Sequence, residues 1–268
     1  MNTSAITSNL STNKWLTLDA ESASNYPDGI NQIYQDEIDG MMIKGVFTPA
    51  EMSEVKHKIE NNSYQLEPVK YGTTLGSILM TAGSNLEKYF KNAASFRAEL
   101  NKLFTTNFEA RVEAIFSMMS GGRTVEVAKE SDKRIYTPAT IRFVHPNLGG
   151  ILPHKNNDYI EEPFYSYLNQ VTRLKDALSY YIVIDKPEQG GDLLLYDLLP
   201  EQSIGLTKNL DLENCSKRCI SPNVGDMILF HGGKIVHKII DVKGPKTRIT
   251  IGGFLALSKD DRKILYWS

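Results

Sequence analysis

The hydrophobic period changes part-way along this chain. Early apolar residues recur every three or four positions, and from Tyr136 onward they alternate or run together in short blocks. Thr48-Pro49-Ala50-Glu51 predicts a helix start, with threonine as N-cap, proline at the first helical position and a glutamate closing a capping box. Met52, Val55 and Ile59 follow at helical spacing, with His57 off their stripe as an exposed residue. Further helices are predicted over 86–104 and 108–119. In the second, Val112, Ile115, Phe116 and Met119 form the stripe of a helix lying on a sheet, and Gly121-Gly122 ends it.

Strands are predicted at 39–47 and, after Tyr136, at 140–145, 151–154, 178–184, 192–196 and in three blocks from Gly225 to Leu257. Residues 71–84 mix glycines with the apolar Ile78-Leu79-Met80, and read either as a substrate lid or as a helix start packed on the sheet. The charged stretch 129–134 reads as a solvated loop and the polar stretch 199–223 as an inserted loop. Helices followed by about seven or eight strands favour an α+β fold: a double-stranded β-helix (jelly-roll, cupin-like) core backed by N-terminal helices. The boundaries are a flexible tail at 1–13 and a single domain at 14–268, helical over about 48–120 and jelly-roll over about 136–258.

Composition narrows the partners. A net charge of −2 and a pI near 6.2 give no reason to expect nucleic acid or an anionic membrane. No apolar run approaches the roughly 18 residues that span a bilayer. The Ser-, Thr- and Asn-rich start has neither a basic nor an apolar segment, so no signal peptide is expected and the protein reads as cytoplasmic. Cys215 and Cys219 lack a second pair with which to close a zinc site, and read as free thiols.

The chemistry concentrates in two histidines and an arginine. His237 sits within a strand whose alternation turns it away from Val236 and Lys238, and an imidazole on an inner face needs a partner, which a metal supplies. His154 follows a proline at a strand end. Arg248 lies eleven residues past His237, one strand further on, and a guanidinium matches the distal carboxylate of a 2-oxo acid through two parallel bonds. Thr250, on the same strand face, offers that carboxylate a hydroxyl. This set fits a non-haem iron site. His231, in a Phe-His-Gly-Gly turn, reads as a loop residue near the rim, and His145, before a proline, reads as loop-like. Iron oxygenases of this type hold the metal with two histidines and a carboxylate, normally two residues after the first histidine; here that residue is Asn156. Asp158, two further on, needs a different backbone turn to reach the same metal.

The sequence resembles the stand-alone aliphatic halogenases of hapalindole- and welwitindolinone-type alkaloid pathways, within the Fe(II)/2-oxoglutarate oxygenases. The matching segments are 39–47, Tyr136-Thr137-Pro138-Ala139-Thr140-Ile141-Arg142, Leu178-Ser179-Tyr180, Gly190-Gly191-Asp192, 225–258 and 264–268. The resemblance implies His154 and His237 as iron ligands, Arg248 as the 2-oxoglutarate anchor, and Ser179 as a hydroxyl that steers the outcome towards halogen transfer. It also implies Fe(II), 2-oxoglutarate, O2 and, for halogenation, chloride, acting on a free small molecule with no carrier protein. Leu79, Met80 and Ile151 are weak candidates for pocket walls. One departure stands out: those halogenases carry glycine where this chain has Asn156, and hydroxylating relatives carry Asp or Glu. The volume of asparagine argues against a halide there, and its neutrality argues for one. Rival outcomes are hydroxylation, desaturation or ring closure at the same site, or a cupin-like binding protein that has lost catalysis.

Overall fold

The computed structural model describes residues 14–83, 85–157, 160–198 and 212–268. In chain order its elements are β1 (Trp15–Asp19), α1 (Gly29–Tyr34), β2 (Gly40–Lys44), α2 (Pro49–Glu60), β3 (Glu67–Val69), β4 (Gly72–Leu75), α3 (Leu86–Leu103), α4 (Phe108–Met118), β5 (Thr124–Val127), β6 (Lys129–Ser131), β7 (Arg134–Ile135), β8 (Thr140–Val144), β9 (Ile151–His154), α5 (Ser166–Val171), β10 (Leu178–Asp185), β11 (Leu193–Asp197), β12 (Ser216–Ile220), β13 (Met227–Phe230), β14 (His237–Ile239), β15 (Arg248–Leu257) and β16 (Lys263–Trp267).

Two sheets face each other. The larger runs β1-β2-β13-β10-β15-β8-β4-β3, with β16 joining the second half of β15 and β5 joining β16; the smaller runs β12-β11-β14-β9. The period of two along each strand assigns the faces. On β10, Leu178, Tyr180, Ile182 and Ile184 enter the larger core, which includes Met52 and Val55 of α2, Phe96 and Leu100 of α3 and Val112, Ile115 and Phe116 of α4. Tyr181 and Val183 point the other way and share a second core with Leu193, Leu195, Ile220, Ile228, Phe230 and Ile239. That second core fills the space between the sheets, where the chemistry lies. The result is a double-stranded β-helix backed by helices, as the residue pattern predicts.

The helices form where local signals place them. Thr48 and Glu51 make the reciprocal capping box at the start of α2, at 2.7 and 3.2 Å, and Asn107 caps α4 through its side chain. The strands were less legible. Strands also precede and interleave with the helices: β1 pairs in parallel with β2, and β3–β4 form an edge of the larger sheet. The 71–84 stretch is therefore neither lid nor helix start over most of its length, because Gly72–Leu75 hydrogen-bonds along β8, with a 3-10 turn at Leu79–Thr81 beyond it. Lys129–Arg134 folds as the β6–β7 hairpin rather than a loop. Of the expected 199–223 loop, residues 199–211 lie outside the described residues, and Ser216–Ile220 is a strand paired along β11. Cys215 and Cys219 form no disulfide, and the second is exposed. Among the described residues no helix is long and apolar enough to cross a membrane.

Candidate active site

The two histidines meet between the sheets. His237, the first residue of β14, lies directly opposite His154, the last residue of β9, with ring centroids 4.3 Å apart at 51°. Each imidazole is fixed by its own backbone: Nδ1 of His154 lies 2.7 Å from the Leu152 carbonyl, and Nδ1 of His237 lies 2.8 Å from that of Ile235. A carbonyl only accepts, so Nδ1 of each ring carries a proton and Nε2 is the nitrogen of each that can ligate. His237 is 4 % exposed. Burial first, then the neighbouring His154, hold its pKa well below the usual histidine range, so it is a neutral imidazole near pH 7. Phe230 meets its ring edge-on at 4.8 Å. Two imidazoles with Nδ1 held by backbone carbonyls and a shared register are a donor set that fits a divalent iron.

The residue expected from the sequence at the third ligand position carries no charge. Asn156 follows β9 in a turn whose backbone N–H donates to the Gly232 carbonyl at 2.9 Å, and its side-chain amide donates to the Ser179 hydroxyl. Gly232 permits this contact: a Cβ there would stand 1.9 Å from Ser179 Oγ and 2.6 Å from Asn156 Nδ2. Among the described residues no group of three or more His, Cys, Asp or Glu side chains could hold a metal ion. Asp158 lies outside the described residues.

At the other end of the inner face of β10 stands Arg248, only 5 % exposed; Asp192 acts on its charge, but it makes no ion pair within 4.0 Å with any described residue. Its Nη1 donates to Thr250 Oγ1 at 3.3 Å, and its guanidinium carbon lies 5.1 Å from the centre of the Tyr181 ring. Gly191, at φ +74°, lets the arginine stem pass, since a Cβ there would stand 2.9 Å from Arg248 Cδ. Burial pulls the arginine's pKa down from its ordinary value, and a buried guanidinium without a counter-ion is a strong demand for an anion.

His231 is not at a rim. It is 4 % exposed, its ring meets Tyr34 edge-on at 5.9 Å, and burial lowers its pKa. His145, at the end of β8, lies between Thr73 and Thr247, at 3.3 and 3.1 Å. The three pocket-wall candidates do not share one wall. Ile151 packs on the inner core, Leu79 is fully buried in the larger core, and Met80 is 41 % exposed. Sequence reading passed over Tyr181, because the whole of β10 is apolar and gives no alternation to separate its faces.

A family model described as the carrier-protein-independent halogenase WelO5 matches residues 12–268. The chain belongs to that family. It is accordingly an oxidoreductase of the iron and 2-oxoglutarate class, acting on free small molecules rather than on substrates tethered to a carrier protein. Among solved structures, the chain is similar to an N-substituted L-amino acid dioxygenase from Burkholderia ambifaria AMMD, at 18% identity and a TM-score of 0.53, covering 88% of this chain and 89% of that one. The complex of that dioxygenase with alpha-KG gives 16% identity and a TM-score of 0.50, covering 88% and 90%. At such identities the likeness shows the fold. No curated protein matches the chain.

Proposed function

We propose that the protein functionalises an aliphatic C–H bond of a free, mainly apolar small molecule, using Fe(II), 2-oxoglutarate and O2, and that chloride completes the metal's surroundings. When bound, the iron and its co-substrate supply the oxidising equivalent that removes a hydrogen atom, while 2-oxoglutarate leaves as succinate and carbon dioxide. His154 and His237 would hold the metal through Nε2, their Nδ1 protons tied to backbone carbonyls. Arg248 and Thr250 would hold the distal carboxylate of the co-substrate. Apolar walls on both sheets exclude water from the reacting centre.

The observation that carries this reading is the pairing, across one interior, of two imidazoles in register with a buried arginine that forms no ion pair with any described residue. Halogenation is the favoured outcome because the third position holds an amide engaged by Ser179 rather than a carboxylate, which leaves the iron short of one negative charge. Hydroxylation at the same carbon is the competing outcome, since the asparagine occupies volume that a halide needs.

The test is an anaerobic titration of the protein with Fe(II) and 2-oxoglutarate, following the visible charge-transfer band with and without chloride. A band that shifts saturably with chloride supports halogenation, and a band indifferent to chloride supports an oxygenase with hydroxyl transfer. The absence of any band would overturn the reading in favour of a ligand-binding protein.

A further inference from the structure

Outside the interior, a cleft of about 410 Å³ opens where α5 meets β5, β6, β16 and the turn from β15 into β16. It shares no residue with the candidate active site, and its volume lies in the range of small-molecule sites. Its apolar surface comes from Val171, the last residue of α5, and from Leu265 of β16. Its rim is charged: Lys129, Lys259 and Lys263 accompany Glu126 and Asp260, three positive charges against two negative.

The pairings within the cleft leave it short of an anion. Lys263 is tied to Glu126 at 2.6 Å. Asp260 accepts from the Ser258 hydroxyl and from the Arg262 N–H. Among the described residues Lys129 and Lys259 form no ion pair, although both acids line the same cleft. The other donors nearby are spent. The Lys259 N–H donates to the Val171 carbonyl at 2.9 Å, and the Lys263 N–H to Ser258 Oγ at 2.9 Å. The Tyr167 hydroxyl donates to the Lys129 carbonyl at 2.7 Å and has no second proton to give. A phosphate is held best by clustered backbone N–H groups and guanidinium forks, and the lining offers neither. Two ammonium groups beside an apolar surface suit instead a single carboxylate carried on an apolar body.

We propose that this cleft is a second ligand site, taking a small carboxylate whose apolar body rests on Val171 and Leu265 and whose charge is met by Lys129 and Lys259. The site needs neither iron nor 2-oxoglutarate, and it stands independently of the oxygenase reading.

The probe is para-trifluoromethylbenzoate, followed by fluorine NMR, with para-trifluoromethylbenzamide as its neutral counterpart. The unaltered protein should bind the benzoate saturably and about fivefold more tightly than the benzamide, the strength that two partly exposed ion pairs supply. The double variant Lys129→Gln/Lys259→Gln should raise the Kd for the benzoate about fivefold and leave that for the benzamide within about twofold. Both lysines are exposed, so the melting temperature should not move. Lys70→Gln/Lys243→Gln, which lowers the net charge equally at exposed positions outside the cleft, should change neither Kd. Saturation with Fe(II) and 2-oxoglutarate under anaerobic conditions should leave the benzoate affinity as it was. Absence of saturable binding, equal affinity for the two probes, or a benzoate affinity indifferent to Lys129→Gln/Lys259→Gln would overturn the site. An equal loss in both double variants would overturn it too, by reducing the effect to overall charge. Displacement of the benzoate by 2-oxoglutarate would do the same, by placing the anion in the interior. A missing charge-transfer band would sink the oxygenase reading and leave this site standing.

Discussion

The amide of Asn156 donates to the hydroxyl of Ser179, joining the end of β9 in the smaller sheet to the start of β10 in the larger one. The bond places in direct contact the two residues to which the proposed function assigns the choice between halide and hydroxyl transfer. On that proposal, the charge and the volume of the third metal position are a joint property of both.

Asn156→Asp should therefore tighten Fe(II) binding by at least about tenfold and abolish any response of the charge-transfer band to chloride, because a third anionic ligand then competes with the halide. Asn156→Gly should do the opposite, enlarging the chloride response and weakening metal binding. The anaerobic titration reads both. Identical chloride responses in all three proteins would place Asn156 away from the metal.

Gly232→Ala offers a separate probe of the same contact. The added methyl falls on Ser179 Oγ and Asn156 Nδ2, which can turn aside, and 2.9 Å from Ser179 Cβ, which cannot, so the loss of stability should be about 1–3 kcal/mol. The Asn156–Ser179 bond should nonetheless break, and turnover should drop at least about tenfold. A thermal melt beside a 2-oxoglutarate consumption assay separates the two effects.

Arg248→Gln should behave unlike a typical core substitution. It removes a buried charge that has no ion-pair partner among the described residues, so the melting temperature of the protein alone should fall little. The stabilisation conferred by 2-oxoglutarate, which grows with the ratio of ligand to Kd, should almost vanish. Melting curves across a 2-oxoglutarate series check this, with a Kd about a hundredfold weaker as the expected result.

Away from the site, Glu113 accepts a hydrogen bond from the Tyr266 hydroxyl at 2.8 Å, and desolvation raises its pKa above the ordinary glutamate value. The folded state therefore holds this proton more tightly than the unfolded chain does. Stability contributed by the group is present at low pH and falls as pH rises from the ordinary glutamate range through the raised folded value. Glu113→Gln keeps an acceptor for Tyr266 and loses the charge, so it should raise the melting temperature at pH 7 by about 1–2 °C and flatten its slope across that window. A melting series from pH 4 to 8 decides it.

What could be read from residue order follows the range of the interactions involved. The α2 capping box was legible because Thr48 and Glu51 act on each other within one turn. His154, His237 and Arg248 were legible because strand alternation and spacing constrain which side chains share a face. β1 was not, because five residues pairing in parallel with β2 leave no local signature. β12 lay within a polar stretch, and only its partner β11 makes it a strand. Tyr181 and His231 were missed for a common reason. Their surroundings come from distant segments, so burial turns a plain apolar run and a glycine turn into the setting of buried polar groups.

β10 carries Leu178, Tyr180, Ile182 and Ile184 into one core, and Ser179, Tyr181 and Val183 towards the other. Neighbours in sequence thus answer to different selective pressures. The even-numbered set is held by the demands of a stable sheet-and-helix sandwich. The odd-numbered set is held by the second core and by the molecule the interior receives. A lineage can accordingly explore new reactions by point changes at every second codon of this strand, without renegotiating the architecture that keeps the interior dry.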